Sequence, residues 1–137
     1  MRVDGQCHCG SITFEAEVDP ERTRLCHCKD CQRLSGSAFR IAVPTSESKF
    51  RLLTGAPSIY VKTAESGNGR EQAFCPICGT AIYATSIRQH KGEDRKMGLR
   101  VGTLRQADQL VPKRQFWGRS ALGWLRNLSD IPCVDTQ

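Results

Sequence analysis

Seven of the eight cysteines fall in three short blocks, Cys7-His8-Cys9, Cys26-His27-Cys28-Lys29-Asp30-Cys31 and Cys75-Pro76-Ile77-Cys78. Zinc takes four ligands in a tetrahedron at structural sites, with thiolates favoured, and keeps three protein ligands plus an open position at catalytic ones. Seven sulfurs cannot fill two four-sulfur shells, so they divide into four and three. Glycine directly follows a cysteine in Cys9-Gly10 and in Cys78-Gly79, where a positive φ lets backbone N–H groups turn toward sulfur. Cys7, Cys9, Cys75 and Cys78 are therefore expected to form a closed structural zinc site that ties the start of the chain to its middle and contributes folding free energy. Cys26, Cys28 and Cys31 lie within six residues, a hook that wraps one side of an ion and leaves its fourth position unfilled. Three thiolates more than cancel the charge of zinc, which makes such an ion a weak Lewis acid and a good host for a soft fourth ligand such as a substrate thiolate. The structural alternative is completion of this shell by His27, His8 or His90, although His27, between two ligands, would point away. Cys133 stands alone as a spare thiol.

Disulfides are the competing use of cysteine. They stabilise mostly by closing long loops, whereas these cysteines are clustered. The N-terminal Met1-Arg2-Val3-Asp4-Gly5-Gln6 carries no apolar run of a secretory signal, and no stretch approaches the ~18 apolar residues of a membrane span. A reducing, cytoplasmic location with no membrane partner is the expectation, and there clustered cysteines bind metal. With 137 residues the chain fits one domain, taken as residues 1–137. It is too short for a TIM barrel of ~250 residues. Apolar residues make up 39% of the chain, a thin core for which structural metal is a common remedy.

The elements that must hold these cysteines read as strands. Period-two alternation runs through Ser11–Ala16, Phe39–Val43, Phe50–Leu52, Ser58–Lys62 and Thr80–Tyr83, with Ile12, Phe14 and Ala16 sharing one face. Asp19-Pro20, Thr54-Gly55-Ala56-Pro57 and Ser66-Gly67-Asn68-Gly69 supply turns between them. The charged stretch Arg88–Lys96 reads as an exposed loop. Helix is sparse: a turn or two around Asp30–Ser35 and another around Gln106–Leu110. Phe39, Tyr60, Phe74 and Tyr83 are assigned to the core, and Trp117 and Trp124 to core or lid packing.

Three blocks carry a family resemblance: Gly5-Gln6-Cys7-His8-Cys9-Gly10, then Cys26 through Phe39, then Phe74-Cys75-Pro76-Ile77-Cys78-Gly79-Thr80, with Trp117–Leu125 as a later piece. In order and spacing the chain resembles the glutathione-dependent formaldehyde-activating enzyme family, which shares its domain with centromere protein V. The resemblance implies a mainly β, Mss4-like fold of small twisted antiparallel sheets built around zinc, with little helix. It also implies two zinc ions per chain, a structural one on Cys7, Cys9, Cys75 and Cys78 and a labile, functional one on Cys26, Cys28 and Cys31. The activity implied is condensation of formaldehyde with glutathione to S-hydroxymethylglutathione, a carbon–sulfur lyase reaction in reverse.

In that chemistry a small thiol, glutathione or another, and an aldehyde are the partners. The adduct's alkoxide needs a proton, for which Asp30 is the nearest candidate and His27 the second. Asp30 could equally cap the helix. Lys29 and Arg33 are candidates for binding the carboxylates of glutathione, or are simply solvated. The competing class is a non-catalytic zinc module that binds nucleic acid or protein through a basic surface, since the net charge is +6. The arginines are scattered along the chain with no aromatic-interleaved basic run of the kind that stacks bases, so the enzyme is favoured.

Overall fold

The computed structural model describes residues 1–64 and 66–137. It is mainly β. The strands are β1 (Arg2–Gln6), β2 (Thr13–Glu17), β3 (Arg24–Cys26), β4 (Arg40–Ser46), β5 (Phe50–Thr54), β6 (Ser58–Thr63), β7 (Gly69–Phe74), β8 (Ala81–Ser86), β9 (Lys96–Arg100) and β10 (Arg114–Phe116), with one α-helix, α1 (Lys29–Ser35), between β3 and β4. β1, β2 and β5 form a three-stranded sheet, while a seven-stranded sheet runs β10-β3-β4-β9-β8-β7-β6. Every pairing is antiparallel except β10 with β3, which run parallel.

The alternation read from sequence does place Ile12, Phe14 and Ala16 inside. They meet Val43, Ile82 and Leu99 of the larger sheet, and Val101 of the 3-10 turn after β9, in one apolar cluster. Burying each large side chain there removes it from water at roughly 1.5–3 kcal/mol apiece. Phe50 bridges Phe14 and Tyr83, with ring centroids 5.4 Å apart on both sides, and Thr45 Oγ1 donates to Glu17 O across the two sheets at 2.6 Å.

Successive residues of a strand point to opposite faces, so the larger sheet's second face carries the residues that flank the core positions. Across strands Arg24, Ala42 and Arg100 are register neighbours, and Cys26 faces Arg40. This second face is cationic. Several expectations need correction here. The Gln106–Leu110 helix is only a 3-10 turn at Ala107–Gln109. The charged loop ends one residue early, because Lys96 opens β9. Tyr60, on edge strand β6, is 54% exposed, and Trp117 and Trp124 are exposed as well. A strand with no neighbour beyond it has nothing for Tyr60 to pack under, and Trp117 instead lies against the Arg119 guanidinium at 4.9 Å.

Candidate metal and active site

Cys7 follows β1 and Cys75 follows β7. The two turns after them are alike: Gly10 N–H donates to Cys7 O and Gly79 N–H to Cys75 O, while Cys7 N–H and Cys75 N–H reach Ile12 O and Thr80 O. Gly10 and Gly79 sit at φ 78° and 77°, a left-handed backbone that costs a side-chain-bearing residue roughly 1–2 kcal/mol. The turns bring the sulfurs of Cys7, Cys9, Cys75 and Cys78 within 4.8 Å of one another. Sulfurs around a tetrahedral zinc with bonds near ~2.3 Å stand about 3.8 Å apart. Cys7 and Cys9 are separated by 3.6 Å and Cys9 and Cys75 by 3.8 Å, so the donor set fits such an ion. Donors already aim at these sulfurs. The Thr80 hydroxyl and N–H, with the Cys9 N–H, bring the Cys78 thiol down to about 5. Burial opposes ionisation of Cys7, but the Ile12 N–H and the Ser11 hydroxyl still bring it to about 7.

The second group assembles on the cationic face. Cys26 ends β3, and Cys28 is the N-cap of α1, its sulfur accepting from Cys31 N–H at 3.3 Å. Sulfurs of Cys26, Cys28 and Cys31 also lie within 4.8 Å, and among the described residues no His, Asp or Glu joins them. Cys28 and Cys31 are 2.8 Å apart and share a hydrogen bond; around an ion that edge would open by about 1 Å. Burial disfavours the Cys28 thiolate, yet hydrogen bonds from Cys31 and the Arg40 charge hold its thiol below the ordinary range. Burial pushes Cys31 up, against the pull of Arg40. The group can hold a metal ion through three sulfurs.

Histidine completion of this shell is not what the fold builds. His27 is buried, with Nε2 2.7 Å from Gln115 Oε1 on β10 and its ring edge-on to Phe39. His8 and His90 are exposed and join neither group. Asp30 does not cap α1, because Cys28 takes that position; its Oδ2 accepts from Lys62 Nζ of β6 at 2.6 Å, which holds the carboxyl below its usual range. Lys29 and Arg33 are exposed, and Lys29 reaches only Gln32, at 3.3 Å. Cys133 is exposed and free. The residues that sequence reasoning missed are Arg40 and Arg100, whose link to the cysteines is register across strands and leaves no local motif.

The profile of the family described as glutathione-dependent formaldehyde-activating enzyme matches residues 2–120, and the chain belongs to that family. A Halomonas elongata protein named for glutathione-dependent formaldehyde activation is 24% identical over 92 residues, 64% of this chain and 59% of that protein. An uncharacterised lyase of Schizosaccharomyces pombe is 26% identical over 80 residues, 58% of this chain and 55% of its own length. The chain thus spans a little over half the length of these curated relatives. A crystal structure of a Rhodobacter sphaeroides protein shares the fold, with a TM-score of 0.59 at 23% identity over 82% of this chain and 98% of that one.

Proposed function

We propose that the protein is a zinc-dependent enzyme of carbon–sulfur lyase type that joins a small thiol to formaldehyde, as glutathione does in S-hydroxymethylglutathione. The observation that carries this reading is the three-sulfur group of Cys26, Cys28 and Cys31 with no fourth protein ligand among the described residues. A zinc ion held there by Cys26, Cys28 and Cys31 would be a weak Lewis acid but a good host for a soft ligand, and would bind an incoming thiol as its thiolate. Cys7, Cys9, Cys75 and Cys78 hold the structural ion in this reading.

The chain's own groups do the remaining work. α1 and β3 fix three sulfurs on one side of the reacting centre, so the incoming sulfur is aimed before the aldehyde arrives, which supplies orientation in advance. The sulfur–carbon bond forms as the carbonyl π bond breaks, and the proton given up by the thiol ends on the new hydroxyl. Arg40, whose charge already acts on Cys28 and Cys31, stabilises negative charge there. Asp30, kept ionised by Lys62, suits the part of base rather than acid. Thiols at both centres need a reducing compartment, the cytoplasm in this proposal, and no helix among the described residues is long and apolar enough to cross a membrane.

NMR exchange spectroscopy on the zinc-loaded protein tests the reaction directly. Exchange of glutathione and formaldehyde with their adduct is expected to accelerate, and the acceleration to vanish in Cys28→Ser. Unchanged exchange with loaded protein would remove the reaction from the proposal.

A further inference from the structure

Cys26 and Cys28 are separated by one residue, so the distance and direction between their sulfurs follow the backbone at His27. The four-sulfur group closes its ligand turns locally, Gly10 N–H on Cys7 O and Gly79 N–H on Cys75 O. No glycine follows Cys26, Cys28 or Cys31. The order of this hook is instead supplied by residues outside it.

Three hydrogen bonds hold His27, which is buried. Its N–H donates to Phe116 O at 3.0 Å, its Nε2 stands 2.7 Å from Gln115 Oε1, and its carbonyl accepts from Gln32 Nε2 at 2.8 Å. The same Gln32 nitrogen donates to Ser120 O at 2.9 Å, so both N–H bonds of the amide are used. Its two partners are carbonyls and can only accept, which assigns that end of the side chain as nitrogen. The oxygen end takes Lys29 Nζ at 3.3 Å. Gln32 follows Cys31 directly, and its backbone N–H donates to Cys28 O at 3.0 Å. One residue therefore touches the whole hook: its main chain is bonded to Cys31 and hydrogen-bonded to Cys28, and its side chain holds the peptide between His27 and Cys28.

We propose that Gln32 is a positioning residue for the Cys26–Cys28–Cys31 group, with Gln115 as its companion, and that the amide bridge from His27 O to Ser120 O sets the direction of the three sulfurs before an ion binds. The inference rests on the reading above that this group holds the functional zinc ion, and names what orders it. Backbone freedom left in the free protein is lost when an ion is gripped, and that loss weakens the grip. A bridge that removes the freedom in advance strengthens it. Among the described residues no hydrogen bond joins the Gln32 side chain to a sulfur, so it acts through the peptide groups of the hook.

The probes are zinc and cobalt(II). Full-length protein loaded with zinc is titrated with a chromogenic chelator, and the more easily stripped position is refilled with cobalt, whose absorption bands report the thiolates around it and the regularity of their tetrahedron. Gln32→Met keeps the length of the side chain and removes both donors. It is expected to release the labile ion at roughly ten- to a hundredfold lower chelator concentration, the usual effect of losing a group that orients metal ligands. The cobalt bands should shift, and the tightly held ion should stay in place. Gln32→Arg, which returns N–H donors to both carbonyls, is expected to restore most of the affinity and the parent spectrum. A role in stability alone would lower the unfolding temperature of Gln32→Met with metal release and cobalt spectrum unchanged, and that result would overturn the proposal. So would a Gln32→Arg protein no better than Gln32→Met. If Gln32→Met does not fold, Gln115→Leu, which frees the ring and spares both main-chain bonds of His27, should weaken the labile ion in the same direction by a smaller factor; no change there would equally overturn it. A parent protein that takes up a single ion would remove the metal reading and this inference together. Two ions, one of them dependent on Gln32, without accelerated formaldehyde exchange would leave the bridge standing and remove the reaction.

Discussion

Gly79 shows how a single residue shapes a group of four sulfurs that can hold a metal ion. Its φ of 77° lets the backbone turn after Cys75, so that Cys78 swings back beside Cys9 and Thr80 presents both of its donors to sulfur. No heavy atom lies within 4 Å of the position a Cβ would take, so the obstacle to a side chain is conformational and not steric crowding. Gly79→Ala is expected to fold but to lose roughly 1–2 kcal/mol, with zinc released at lower chelator concentration than from the parent protein. Thermal unfolding and a chelator titration check both, and unchanged values in each would mean the left-handed turn is not needed.

At the scale of elements, the loop between β8 and β9 is fastened by charge. Arg95 donates to Glu47 after β4 and to Glu71 on β7, and Arg88 donates to the same Glu47 carboxylate at 2.7 Å. Hydrogen bonds from Arg95, then Arg88, bring the Glu47 carboxyl down to about 2 from an ordinary 4.5. A lowered folded-state value means this contribution is complete above about 4.5 and is lost as pH falls toward 2. Glu47→Gln should therefore cost on the order of 1 kcal/mol near neutrality, after allowance for solvent screening, and the deficit should shrink on acidification through that window. Urea unfolding of parent and variant at matched pH reads the difference, and a deficit independent of pH would assign it to packing. The same elements show what a sequence discloses. Strands with one apolar and one exposed face, such as β2, announce themselves by alternation. β3 and β10, three residues each, are too short to show a period, and β7 carries Arg70 and Gln72 on one face and Glu71 on the other. α1 and each cysteine block were legible because ligand spacing within a block is local, while joining Cys7 and Cys9 to Cys75 and Cys78 rested on the glycine that follows each pair. The guanidiniums were not, since Arg40 and Arg100 become neighbours only through the pairing of β4 with β9.

For the whole molecule, the two cysteine groups differ in what they span. Cys9 and Cys75 are 66 positions apart yet 3.8 Å distant, so a metal ion held by the four sulfurs would crosslink the small sheet to the large one. Cys26, Cys28 and Cys31 lie within a single β3–α1 hook. Metal analysis is expected to return two zinc ions per chain. Cys28→Ser should retain one of them with the thermal transition nearly in place, whereas Cys75→Ser should cost several kcal/mol, a large part of a domain's ~5–15 kcal/mol. Equal unfolding by the two substitutions would make both groups structural.

β10 gives these two centres a different place in time. Cys78 completes the set of four sulfurs when it emerges, but β3 gains its parallel neighbour, and His27 its Gln115, only when residues 114–116 emerge. Gln32 likewise waits for Ser120 O. Synthesis from the N-terminus therefore makes the four-sulfur group available well before the three-sulfur group is clasped, so that a zinc ion bound there would pin the nascent chain while the triad still awaits its last strand.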